Sequence, residues 1–223
     1  MNVLIACEES QRECTAFREK GHRAFSCDIQ ECSGGHPEWH IQCDVLPLLN
    51  GNCTFLTCDG KIHCINGKWD LIIAHPPCQY ISNAGAVRLF KRINGVQYIN
   101  VDRYRKGITA KKFFLQILNA DCEHIAIENP IPSLIYNLPK YTQIIQPYEH
   151  GEPWSKKTCL WLKNLPELQP TKILSEYKPY ISCGTSKYKG NKDKQGHSRA
   201  GGAAKIRAKT FQGIANDMAE QWG

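Results

Sequence analysis

Short runs in which every residue is apolar recur along this chain, separated by amphipathic stretches and polar, turn-rich segments. Val3-Leu4-Ile5-Ala6, Leu71-Ile72-Ile73-Ala74 and Ile125-Ala126-Ile127 are such runs. A strand covered on both faces reads this way, whereas a strand with one wet face alternates apolar with polar. Between the first run and Ala24-Phe25-Ser26-Cys27, residues 8–20 predict a helix with Cys14 and Phe17 on its inner side and Gly21 as its stop. Strand, helix, strand and then an acid, Asp28, is the opening of an α/β protein built on an open, mostly parallel, Rossmann-like sheet with helices on both faces.

The rest of the pattern fits that frame. Residues 32–40 carry Gly34-Gly35 and Pro37 and predict loop, with a third strand at Trp39-His40-Ile41-Gln42. Two β-rich runs in residues 53–65 flank Asp59-Gly60, which predicts a hairpin with a tight primed turn, inserted at the edge of the sheet. Residues 85–112 are polar and basic; their first part predicts a long loop, and a helix follows over 111–119. Residues 142–146 and 158–162 are weaker strand candidates, residues 172–195 predict an exposed basic loop, and a closing helix begins near Gly213. This predicts a core over 1–162, a small basic, loop-rich region over 163–207 that could take part in substrate recognition, and a C-terminal helix over 208–223 that packs back on the core. No internal repeat is seen.

Composition narrows the function classes. At 42% apolar and 22% charged residues over 223, the chain is an ordinary globular protein with room for one core. It has no apolar run of membrane-spanning length, and its first residues read as a buried strand rather than an export signal, with nothing expected before the domain. Twelve cysteines in such a chain indicate reduced thiols in a cytosol, not a disulfide framework. Cys53, Cys58, Cys64 and His63 lack the paired spacing of a zinc site, so no metal is expected. The formal net charge of +7 favours an anionic partner such as nucleic acid.

Two of the apolar runs lead into reactive residues. One continues into His75-Pro76-Pro77-Cys78-Gln79, the other into Glu128-Asn129-Pro130. In open parallel sheets ligands sit outside the carboxyl ends of the strands, so Cys78 and Glu128 would share one crevice if their strands are neighbours. These residues carry a resemblance. Pro76-Pro77-Cys78-Gln79 after a strand resembles the catalytic Pro-Cys motif of DNA cytosine-C5 methyltransferases. Ala126-Ile127-Glu128-Asn129-Pro130 is similar to that family's Glu-Asn-Val motif, with Pro130 in place of valine. The chain also looks like short methyltransferase-like proteins of phages and prophages, which implies the cytoplasm of a bacterial host.

The resemblance implies a fold, a cofactor and a set of roles. The sheet would be of the methyltransferase type and the cofactor S-adenosyl-L-methionine (AdoMet). Cofactor contacts would fall at Cys7, Ser10, Asp28, Ile29, Asp44, Val45, His75 and Pro76. Asp28 would meet the ribose and Asp44 the adenine. Cys78 would be the nucleophile, Glu128 the group at cytosine N3, Asn129 the support of the loop or base edge, and Pro76 and Pro77 the stiffeners of the turn. DNA is the implied partner, with phosphate contacts from Arg88, Lys91, Arg92, Arg103 and Arg105 in the segment where the family carries its mobile catalytic loop, and from Lys156 and Lys157 where it has a base-touching motif. Residues 213–219 would correspond to the last motif, against the cofactor.

The chain departs from the pattern in two places. The first loop is Cys7-Glu8-Glu9-Ser10-Gln11 where the family is Gly-rich. Ser10 and the following helix N-terminus are left to receive the methionine carboxylate, with Glu8 and Glu9 as partners for its ammonium group. The region available for reading sequence is also small. Two alternatives therefore stand beside cytosine methylation in DNA: the same chemistry on a free cytosine nucleotide or RNA, and a catalytically silent DNA- or protein-binding module.

Overall fold

The computed structural model describes residues 1–180 and 209–223. The chain opens with β1 (Asn2–Ala6), α1 (Arg12–Glu19), β2 (Arg23–Asp28) and β3 (His40–Gln42), followed by the hairpin β4 (Cys53–Leu56) and β5 (Ile62–Ile65). Next come β6 (Leu71–Ala74), a single-turn helix α2 (Asn83–Ala86), a second hairpin of β7 (Phe90–Ile93) and β8 (Val96–Ile99), and the long helix α3 (Val101–Leu118). Then follow β9 (His124–Pro130), β10 (Gln143–Ile145), β11 (Trp154–Ser155), β12 (Thr158–Lys163) and β13 (Lys178–Pro179). We number the closing helix, Gln212–Trp222, α4.

Seven strands form one sheet in the order β10-β12-β9-β6-β1-β2-β3. Strands β9, β6, β1, β2 and β3 run parallel, and β12 is reversed against both β9 and β10. The all-apolar runs are the buried central strands β1, β6 and β9. Alternation along them feeds two cores. Val3 and Ile5 of β1 join Phe17 of α1 and Ile214, Met218 and Trp222 of α4 on one face. Leu4 and Ala6 join Phe114 and Ile117 of α3 on the other, together with Phe55 of the first hairpin and Trp69. Each fully buried Leu, Ile or Phe contributes about 1.5–3 kcal/mol, so these two cores carry most of the stability. The fold is therefore α/β, with a mostly parallel central sheet and helices on both faces.

Four local expectations are corrected. Helix α1 starts only at Arg12, because Cys7 (φ 61°) and Gln11 (φ 58°) take left-handed conformations that interrupt the helical path. In the first hairpin only Gly60 (φ 81°) has positive φ; the turn closes through Gly60 N to Thr57 O and Thr57 N to Lys61 O, the longer bulged form rather than a primed turn. That hairpin is a two-stranded sheet of its own, packed through Phe55 and His63 on Phe25 of β2 and joined to edge strand β3 by Cys58 N donating to His40 O. Finally, residues 85–110 are not a long loop. Ser82 caps α2, Asn94 and Gly95 take the positive φ of the β7–β8 turn, and Asn100 caps an α3 that begins well before Lys111. Most of the basic loop over 172–195, and of the small region over 163–207, lies outside the described residues.

Candidate functional site

Parallel register brings the carboxyl ends of the central strands to one edge of the sheet. Ala6 pairs with Ala74, and Ala74 with Ile127, so His75 and Glu128 continue side by side from neighbouring strands. His75 N donates to Ala6 O at 2.9 Å, binding the loop after β6 to β1. Pro76 is buried, Pro77 exposed and Cys78 half-buried. The Cys78 carbonyl accepts from Ile81 N and Ser82 N, which turns the chain sharply after the thiol.

The two motifs are stitched to each other. Buried Asn129 donates from Nδ2 to the Pro76 carbonyl at 2.8 Å. Asn83 N donates to Ile131 O, and Ser133 N to Ile81 O, each at 2.8 Å. Arg103 of α3 reaches back to donate to Gln79 O at 2.6 Å and Gly85 O at 3.1 Å, with its guanidinium over the Tyr80 ring. This differs from its expected role: it braces the loop after Cys78 instead of offering a free cation.

The first three strands converge on Cys7. Burial, then the charges of Asp28 and Asp44, push its thiol up to about 12. Asp28 is half-buried and Asp44 exposed; each accepts from a backbone N–H two residues on, Gln30 N and Leu46 N. Val45 is buried, whereas Ile29 is 75% exposed. The contact with Cys43, and then burial, push the Cys27 thiol up; the Sγ atoms are 4.0 Å apart, and the same contact lowers Cys43 to about 7.

The first loop is closed differently from a glycine-rich turn. Glu8 is buried and turns its carboxylate onto α1, accepting from Glu13 N at 2.9 Å and Cys14 N at 3.4 Å. The helix N-terminus expected to receive a carboxylate therefore already holds one. Ser10 is half-buried, and Gly34 packs directly over this loop: a Cβ there would lie 2.6 Å from Ser10 O and 2.5 Å from Gln11 Cβ. The required glycine sits on the covering segment rather than in the loop.

A buried charged cluster lies where β6 and β9 end against α1. Glu13, wholly buried, places Oε1 3.0 Å from His75 Nε2, and Glu128 Oε2 lies 3.5 Å from His75 Nδ1. Thr210 donates from its hydroxyl to Glu128 Oε2 at 3.3 Å. Burial and the neighbouring Glu13 push the Glu8 carboxyl well above its ordinary range. Burial also acts to raise Glu13, but His75 outweighs it and holds that carboxyl below its ordinary range. Burial would lower His75; Glu13 and then Glu128 reverse the sign and raise it, against Lys156. Two carboxyl groups thus flank one imidazole. Of this group, Glu13 escaped the sequence reading, although residues 13, 14 and 17 share one helical face and a glutamate on the inner stripe was the available signal.

The remaining cations spread along the rim. Arg88, Lys91, Arg92 and Arg105 are exposed, Arg105 only 4.0 Å from Asp102. The β7–β8 hairpin stands out from the body with Phe90, Ile93, Val96, Tyr98 and Ile99 exposed among them. Lys156 is half-buried, with Nζ over the Phe211 ring, and Lys157 is exposed. A cleft of about 250 Å³ lined by Tyr80, Lys91, Asn100, Asp102, Arg103 and Lys106 borders the loop after Cys78. A larger one, about 650 Å³, lies between Leu46, Leu49 and α3, away from Cys78 and Glu128. No protein-family model matches the chain, and no curated protein matches it.

Proposed function

We propose that this chain is an AdoMet-dependent methyltransferase of the DNA cytosine-C5 kind, acting through Cys78. The observation that supports the reading is the adjacency of β6 and β9, with Asn129 holding the Pro76 carbonyl, which ties the segment bearing Cys78 to the strand bearing Glu128.

Cytosine C5 is a poor nucleophile until the aromatic ring is broken. In this reading the Cys78 thiolate adds to C6 while Glu128 supplies a proton or strong hydrogen bond at N3, leaving C5 enamine-like. Glu128 is suited to this, because His75 beside it can return a proton. After C5 is methylated it loses its proton, and expulsion of the thiolate restores the ring. AdoMet, when bound, supplies an electrophilic methyl group. Asp28, Asp44 and Val45 fit its ribose and adenine; its methionine end would meet Glu8 and Glu9 through the ammonium group, because Glu8 fills the donor site of α1. The exposed cations Arg88, Lys91, Arg92, Arg105 and Lys157 would contact DNA phosphates. The same reading puts the protein in a bacterial cytoplasm, encoded by a phage or prophage; no described helix is long and apolar enough to cross a membrane.

DNA containing 5-fluorocytosine tests the reading, because fluorine blocks release at C5. With AdoMet present, a covalent adduct stable to denaturing electrophoresis is expected, and Cys78→Ser abolishes it. Absence of an adduct with the unmodified protein, on duplex and single-stranded DNA, overturns the reading. A silent binding module is the second reading, favoured by the occupied N-terminus of α1; it predicts no AdoMet heat in calorimetry with or without DNA.

A further inference from the structure

We propose that Glu13, His75 and Glu128 form a binding site for one divalent transition-metal cation of the manganese type. One donor atom from each residue lies within 4.8 Å of the others, drawn from α1, the end of β6 and the end of β9. A shared cation needs such convergence from separate elements, and the parallel register supplies it.

A second observation is independent of the clustering. Glu13 is 0% exposed, yet neither carboxylate oxygen receives a well-aligned hydrogen bond; His75 Nε2, 3.0 Å from Glu13 Oε1, is close enough for an ion pair but outside hydrogen-bond geometry. The oxygens approach His75, Glu8 and Thr210 closely enough to feel them, but none of these contacts has hydrogen-bond geometry. Buried carboxylates are otherwise hydrogen-bonded, paired in good geometry or bound to a metal. Lone pairs on Glu13 that meet no aligned donor, beside an imidazole and a second carboxyl group, are what a cation would use.

The donor set selects the ion. Two carboxylates and a neutral imidazole balance a dication, and an oxygen-rich set with one imidazole suits Mn²⁺. Glu8 is committed to α1 and does not add a ligand; Thr210 fixes the orientation of Glu128. Zinc is a poorer probe here, because thiols such as Cys27 and Cys43 would compete for it. The inference goes beyond methyl transfer: Glu128 cannot hold a cation and meet cytosine N3 at once.

The test is a titration of the full chain with Mn²⁺ followed by electron paramagnetic resonance, in which bound ion leaves the free six-line signal. One equivalent per chain is expected, with affinity unchanged in Cys78→Ser and weakened at least about tenfold in both Glu13→Gln and His75→Gln. Far-UV circular dichroism identifies folded variants, and either one suffices. No loss of signal, or equal loss in a folded variant, overturns the proposal. Adduct trapping in EDTA is scored separately: an adduct without Mn²⁺ binding removes the metal site alone, and Mn²⁺ binding without an adduct removes methyl transfer alone.

Discussion

Asn129→Ala cuts a side-chain bond that ties the Glu-Asn-Pro strand to the Pro-Pro-Cys loop. Asn129 is 3% exposed, and its Nδ2 lies 2.8 Å from the Pro76 carbonyl. Truncation leaves that carbonyl, on a buried residue, without its donor, and such a loss costs about 1–3 kcal/mol. For a chain of this size each kcal/mol is worth about 2–4 °C, so a central loss of about 2 kcal/mol lowers Tm by about 4–8 °C. The loop also loses its anchor beside the thiol. A misplacement of about 1 Å at a reacting group costs up to about a hundredfold in rate. The folded variant should therefore form the 5-fluorocytosine adduct about tenfold to a hundredfold more slowly. Thermal unfolding by circular dichroism and timed trapping measure the two effects. A Tm within about 1 °C of the unmodified protein would refute the assigned role of the bond, because an unpaired buried carbonyl cannot be that cheap.

Gly107→Ala in α3 would place a Cβ 2.2 Å from the buried Tyr136 ring, so the urea midpoint should fall by the equivalent of about 1–3 kcal/mol with an unchanged slope. Gly34→Ala drives a Cβ into Ser10 O and Gln11 Cβ; amide exchange over residues 8–13 should quicken, and unaltered protection would show that the covering segment does not hold the first loop. Cys43, with its thiol lowered to about 7 by Cys27, should reach half-maximal iodoacetamide labelling near that pH, losing reactivity below it, while buried Cys14 stays unlabelled. Peptide mass spectrometry reads both sites, and Cys27→Ala should shift the Cys43 profile upward.

Sequence alone determined the central architecture. All-apolar runs allow few fates other than doubly covered strands, and strand, helix, strand, acid dictates a parallel opening. It also drew attention to Cys78 and Glu128, because strand ends are where such sheets keep their ligands. What it missed was settled by contacts between distant residues. The β7–β8 hairpin and early start of α3 lie in a stretch whose polar composition reads as loop, because both hairpin faces are exposed and show no alternation. The first loop takes left-handed turns without glycine because Gly34, on another segment, supplies the room. Glu13 and His75 carry no signal of partnership along the chain; only the register of β1, β6 and β9 brings them together. Local pattern reports which surfaces must be buried, whereas charge pairing across a sheet depends on which strands become neighbours, and that is decided by packing the whole chain at once.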